Sequence, residues 1–212
     1  MFDQHLIAEF LIFCLIIFFS VHLFYDLRMI RSRKRRNVAV IGPPRPRGGP
    51  TLVAYGASYF FWLLFFISPG LLFIGAYESV FALLIFQFLH QLWIQLVGAC
   101  LIIMGVLLAD LGRISRGIMA PSWAMPENYQ LVTTGAYGLV RHPLYFSYIL
   151  MSLGLFFLLS NILLLGCFFG LLCYYFPAKK EEEMLLERFG RQYKEYKSRV
   201  GMFFPKIRKK DQ

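Results

Sequence analysis

Arg141, His142 and Pro143 stand in a row within LVTTGAYGLVRHPLY, the stretch from Leu131 to Tyr145. Arginine offers a permanent forked cation that suits a carboxylate or a phosphate. Histidine donates or accepts a proton near neutral pH. Proline is favoured in the first turn of a helix, and the free N–H groups of such a turn attract anions. The three residues together suit one anionic group, although a positive membrane anchor would have the same composition. Beyond the next apolar block lies the run Glu181-Glu182-Glu183. Its spacing alone fits a solvated face or the preference of acids for a helix start. If the intervening apolar runs fold back on themselves, the glutamates return to the Arg-His turn. A cation beside a carboxylate then suits a zwitterionic ligand carrying an amino-acid group.

The elements that must position these residues are apolar. Of 212 residues, 58% are hydrophobic and 16% charged, with a mean hydropathy of +0.58. Long uncharged runs between charged loops are the pattern of a polytopic membrane protein. The net charge of +10 is concentrated in two blocks that flank apolar runs, from Arg28 to Arg47 and from Lys179 to Lys210. Membrane topology and anionic headgroups account for that placement, and no aromatic-basic platform for nucleic acid accompanies it. Cys14, Cys100, Cys167 and Cys173 lie in apolar runs without a CxxC pair or a histidine cluster, so neither disulfides nor a metal site is expected.

Taken in order, Leu6 to Tyr25 can cross a bilayer, and the basic cluster after it predicts a retained span with the N-terminus outside. Arg28 to Pro50 reads as a basic loop lying on anionic lipid. Thr51 to Leu111 lies between two basic exits, so an even number of crossings is expected: two spans, Leu52 to Ala76 and Phe81 to Leu111. His22 and His90 read as packing or interhelical hydrogen-bonding residues, and Asp110 as a solvated interface residue. Leu111 to His142, with Pro121, Trp123, Pro126 and Tyr129, reads as an interfacial loop. Leu144 to Ser160 and Ile162 to Phe176, separated by Asn161, read as a helical hairpin. Ala178 to Pro205 carries Met184, Leu185, Phe189, Tyr193 and Tyr196 on one greasy helical face, with Gly190 able to divide it. The expected fold is an all-α polytopic membrane protein of about five transmembrane helices. Its cytosolic pocket would lie between the loop before the last hairpin and the C-terminal helix.

LVTTGAYGLVRHPLY, an apolar hairpin and EEEMLLERFGRQYKEYKSRV running into FFP together resemble the isoprenylcysteine carboxyl methyltransferases. They also resemble the wider bacterial, archaeal and phospholipid N-methyltransferase relatives of those enzymes. The resemblance covers roughly Leu96 to Pro205 and divides the chain into membrane helices with a basic loop (1–95) and a methyltransferase core (96–212). It implies S-adenosyl-L-methionine as cofactor. The implied pocket comprises Tyr129, Gln130, Leu131, Val132, Tyr137, His142, Pro143, Leu144 and Tyr145, with Glu181 from beyond the hairpin. Arg141, His142 and Glu182 are the implied catalytic residues.

The acceptor implied is lipophilic and enters from the bilayer, foremost an isoprenylcysteine-type carboxylate. A phospholipid amine, a small thiol or a non-catalytic scaffold are the alternatives. A carboxylate acceptor needs no strong base, whereas an amine or thiol must lose a proton, with which His142 or a glutamate could assist. Two positions depart from the family pattern. Pro177 stands where the animal enzymes carry a substrate-holding arginine, for which Lys179 or Lys180 is the expected substitute. Ser122 stands where a cofactor-contacting glutamine is expected. The charge pattern suits a bacterial inner membrane and an endoplasmic reticulum alike, and the sequence carries no signal for oligomeric state.

Overall fold

A computed structural model describes residues 2–36, 48–89, 91–117 and 129–206. Residues 37–47 of the basic loop, His90, and 118–128 with Pro121, Ser122, Trp123 and Pro126 lie outside the described residues. The described chain is helical throughout: α1 (Gln4–Arg36), α2 (Gly49–Phe73), α3 (Tyr77–Val80), α4 (Leu92–Arg116), α5 (Ala136–Leu139), α6 (Pro143–Leu159), α7 (Ile162–Leu172) and α8 (Tyr175–Arg199). Four stretches are long and apolar enough to cross a membrane: Gln4–Ser32, Gly49–Phe73, Leu92–Arg116 and Ile162–Arg199. Helix α6 is a shorter apolar helix beside them. The apolar part of the last stretch ends at Phe176, and charge takes over from Lys179. The protein is therefore an integral, multi-pass, all-α membrane protein.

The helix expected from Phe81 begins only at Leu92. Residues 77–89 instead form α3 and two short 3-10 turns that meet the turn between α6 and α7. There the Phe86 N–H donates to Ser160 O at 2.9 Å, and Asn161 Nδ2 donates to the Tyr77 hydroxyl at 3.0 Å. Asn161 also accepts from the Leu163 N–H at 3.0 Å, capping α7. Backbone groups in an apolar layer must find partners, and this turn supplies partners that a continuous helix would have supplied from within.

Helices α4 and α6 form the closest contact in the bundle. Gly98, Gly105 and Gly112 recur every seven residues on the α4 face toward α6. A Cβ at Gly98 would lie 2.7 Å from Gly154 O, and one at Gly154 would lie 2.7 Å from Gly98 O. Small residues let the backbones approach, which matters where lipid is as apolar as any side chain and dispersion drives helix association. At the end of the stripe Gly112 meets Pro143. That contact sets the first turn of α6 beside the last turns of α4.

The main core, with Leu11, Phe61, Phe65, Ile102, Met151 and Leu155 fully buried, fills the bundle. A second cluster of Tyr129, Leu185, Tyr193, Tyr196 and Val200 lies at the site. Asp110 departs from expectation: it is buried, with Oδ1 3.4 Å from His22 Nδ1. Helix α1 covers it. One turn on, Arg113 Nη2 donates to Asp26 Oδ1 at 2.5 Å.

Candidate active site

Residues 200–202, just past α8, run beside 140–142. Val140 and Gly201 form a parallel bridge; the Arg141 N–H donates to Gly201 O at 2.9 Å and the His142 N–H to Met202 O at 3.1 Å. A Cβ at Gly201 would sit 1.8 Å from Phe204 O, so the turn in this strap requires glycine. On the other side the loop is fastened to α4, where the Ala136 N–H donates to Ser115 Oγ at 3.2 Å. The Tyr196 hydroxyl donates to Tyr137 O at 2.7 Å. The Arg-His turn is thus held by α4, α6, α8 and the strap.

The apolar hairpin brings Glu181 and Glu182 back to this turn, where they occupy opposite electrostatic environments. Arg141 donates from Nε to Glu182 Oε1 at 2.7 Å, its Nη2 lies 2.6 Å from the same oxygen, and its Nη1 donates to Val200 O. Lys197 Nζ lies 2.7 Å from Glu182 Oε2, and His142 Nε2 lies 3.4 Å from Oε1. Burial would raise the Glu182 carboxyl, but contacts with His142, Lys197 and Arg141 outweigh it and hold the group at about 2. Glu181 accepts from the Tyr145 hydroxyl, and its Oε2 lies 3.6 Å from His142 Nδ1. Burial pushes the Glu181 carboxyl above its usual value despite His142 and Tyr145. The His142 ring lies parallel to Tyr145 (centroids 5.7 Å apart), which stacks on Tyr174 at 4.4 Å.

A cavity opens beside this turn. Tyr129, Leu131, Val132 and Tyr137 line it from the loop, Arg141 and His142 from the turn, Leu185, Tyr193 and Tyr196 from α8, and Arg116 from α4. Its volume is about 20 Å³, room for about one water. Buried polar atoms nearly always have hydrogen-bond partners. His142 Nε2, Tyr193 OH and Arg116 Nε are buried without one, and all three belong to residues lining this cavity.

Of the expected pocket residues, Tyr129, Leu131, Val132, Tyr137 and His142 line the cavity. Tyr145 and Glu181 reach it through His142, Pro143 is buried in the first turn of α6 with Leu144 next to it, and Gln130 is exposed. Arg141 and Glu182, expected to act on substrate, face each other. Lys179 and Lys180, the expected substitutes for a cation at Pro177, are exposed and do not line the cavity. The sequence reading placed Leu185, Tyr193 and Tyr196 on the greasy face of a helix but not in the pocket. Arg116, at the basic end of α4, carries no sequence signal for a place in this cavity.

A family model described as phospholipid methyltransferase matches residues 93–192. Protein-S-isoprenylcysteine O-methyltransferase B of Arabidopsis thaliana is 32% identical over 139 residues, covering 62% of this chain and 70% of that protein. The protein-S-isoprenylcysteine O-methyltransferase of Saccharomyces cerevisiae is 32% identical over 117 residues, covering 50% of this chain and 49% of that protein. A solved eukaryotic intramembrane Ras methyltransferase, isoprenylcysteine carboxyl methyltransferase, matches at 26% identity with a TM-score of 0.46, covering 77% of this chain and 55% of that one. The chain thus spans most of the plant relative and about half of the yeast relative and of the solved chain. With nearly a third of its aligned residues shared across most of the plant protein, the chain belongs to the membrane methyltransferase family that includes the protein-S-isoprenylcysteine O-methyltransferases.

Proposed function

We propose that the protein uses S-adenosyl-L-methionine to methylate a lipophilic acceptor, foremost an isoprenylcysteine-type carboxylate. The observation that carries this reading is the convergence of His142, Tyr193 and Arg116, each with an unpartnered buried polar atom, on one cavity beside Glu181. The donor set fits the cofactor. Glu181 and His142 suit its ammonium and hydroxyl groups, and a cation near Glu181 favours the ionised carboxylate. Leu131, Val132 and Leu185 give the purine an apolar wall. When bound, the cofactor supplies a methyl group on a cationic sulfur. Arg141 and Glu182 act as a clamp that positions His142.

The cofactor needs more room than the cavity offers, so this reading requires the site to open. Gly190 interrupts α8 with a non-helical φ of 48° and serves as the joint about which Tyr193 and Tyr196 part from the loop. The basic residues beside α1 and α4 orient the site toward the cytosol, and the acceptor arrives sideways from the bilayer. The family model's description favours a second reading, a phospholipid amine as acceptor. Calorimetry of S-adenosylhomocysteine with the purified protein tests the cofactor reading. Micromolar binding, about 8 kcal/mol, is expected, and absence of binding at millimolar ligand would overturn it. Supplying labelled cofactor with prenylated cysteine acids or phospholipids then separates the two acceptors.

A further inference from the structure

A crevice opens between α1 and α4 at the end of the bundle away from the Arg-His turn. We infer that it holds one hydrocarbon chain of a zwitterionic phospholipid, whose ammonium pairs with Glu9. Phe2, Leu6, Ile7 and Phe10 line it from α1 and the residues before it, Ala99 from α4 and Leu158 from α6; its volume is about 200 Å³. About 25 Å of α4 separates Ala99 from Arg116, so this site is independent of the one proposed for methyl transfer. Every lining side chain is apolar. Buried Gln95 already engages the backbone of two lining residues: its Oε1 accepts from the Phe2 N–H at 2.7 Å, and its Nε2 donates to Leu158 O at 3.3 Å. Apolar cavities of this order stay free of water and take apolar molecules. The rim residue Leu6 is 52% exposed, and both long walls belong to membrane-crossing stretches. Bilayer hydrocarbon is therefore what reaches it.

Charge selects the head group. No lysine or arginine occurs in residues 2–27, 48–112 or 142–178. This end of the bundle carries Asp3, Glu9 and Glu78 instead. Asp3 accepts from the N–H groups of His5 and Leu6, and Glu78 accepts from Gln4 Nε2. Glu9 is exposed and takes part in no ion pair among the described residues. It stands three residues past Leu6 and directly before Phe10, on the flank of the cavity face of α1. Helical side chains lean toward the N-terminus, which aims its carboxylate back toward the membrane edge. A carboxylate within an apolar span calls for a partner, and an ammonium head group supplies one while its chain fills the crevice. An anionic head group would meet repulsion here.

The experiment must separate this lipid from a methyl acceptor. The purified protein is exchanged in detergent against equal amounts of phosphatidylethanolamine and phosphatidylglycerol with identical chains. Retained lipid is then counted by native mass spectrometry, with and without S-adenosyl-L-methionine. Phosphatidylethanolamine should be retained about 2- to 5-fold over phosphatidylglycerol, the range for an exposed ion pair, and should stay unmethylated. Ala99→Phe should fill the crevice and abolish retention. Ala99→Leu should remove part of it, and carries the test where the larger side chain prevents folding. Glu9→Gln should keep the chain bound and lose the head-group preference. A wild type that retains no lipid, or both lipids equally, overturns the inference. So does an Ala99→Leu protein with undiminished retention, or a Glu9→Gln protein with the full preference. A retained lipid that becomes methylated overturns it as well, because that lipid would be the acceptor.

Discussion

Two polar clusters, each of one histidine, one arginine and two carboxylates, lie in this protein, and they differ in what surrounds them. Between α1 and α4 stand His22, Arg113, Asp26 and Asp110; between the α6 turn and α8 stand His142, Arg141, Glu181 and Glu182. Each has a histidine whose Nε2 is buried without a hydrogen-bond partner. In the first, His22 stacks on Phe18 with centroids 4.0 Å apart, its Nδ1 lies 2.9 Å from Phe18 O, and Asp26 is 49% exposed. In the second, Arg141 and Glu182 are 7% and 3% exposed, and two residues of the cluster line the cavity. Ionisable groups inside a membrane bundle therefore do not by themselves define a site. Both clusters leave buried polar atoms without hydrogen-bond partners; the distinguishing feature is a cavity onto which residues of several elements face.

The largest effect should come from breaking the buried pair. Glu182→Ala leaves Arg141 uncompensated, and a loss of about 3–5 kcal/mol in folded stability is expected. Asp26→Ala, at a half-exposed partner, should cost only about 0–1 kcal/mol. Denaturant unfolding in detergent measures both, and equal losses would erase the distinction. Next comes ligand binding. His142→Ala and Glu181→Ala should each weaken S-adenosylhomocysteine about 10- to 100-fold, as expected when a charged contact is removed. His22→Ala should leave it unchanged within error, and a comparable loss there would make the α1–α4 cluster part of the site.

The smallest effect is that of pH. Glu182 is held at about 2 in the folded protein, against an ordinary 4.5. A depressed carboxylate contributes stability that is complete above its unfolded value and lost as acid carries the pH down toward its folded one. Wild-type stability should therefore fall between pH 4.5 and 2. Glu182→Gln should flatten that part of the profile, and an unchanged slope would show that other groups govern it.

Much of this was legible in the sequence. Uncharged runs of the right length announced the apolar helices, Pro143 announced the start of α6, Asn161 the hairpin turn, and Gly190 the break in α8. Each is a local signal, read from side-chain type and neighbours alone. What stayed hidden depends on partners distant in the chain. Residues 77–89 are apolar enough for a helix and lose it to contacts with Ser160 and Asn161. Asp110 looked solvated because nothing in its own helix shows that α1 covers it. Arg116 reads as a stop signal until Leu185, Tyr193 and Tyr196 arrive from α8 to face it. The mutual pairing of Arg141 with Glu182 was likewise out of reach, since spacing shows proximity but not which groups neutralise each other.

The strap at residues 200–202 also has a temporal consequence. Arg141 donates to the Val200 carbonyl, 59 positions further along the chain. Ribosomal synthesis therefore delivers the turn well before the segment that finishes it, and the membrane helices can insert while Arg141 still lacks that partner. Membrane insertion and completion of this turn therefore draw on different parts of the chain. The second waits for a few residues of backbone pairing at the water's edge.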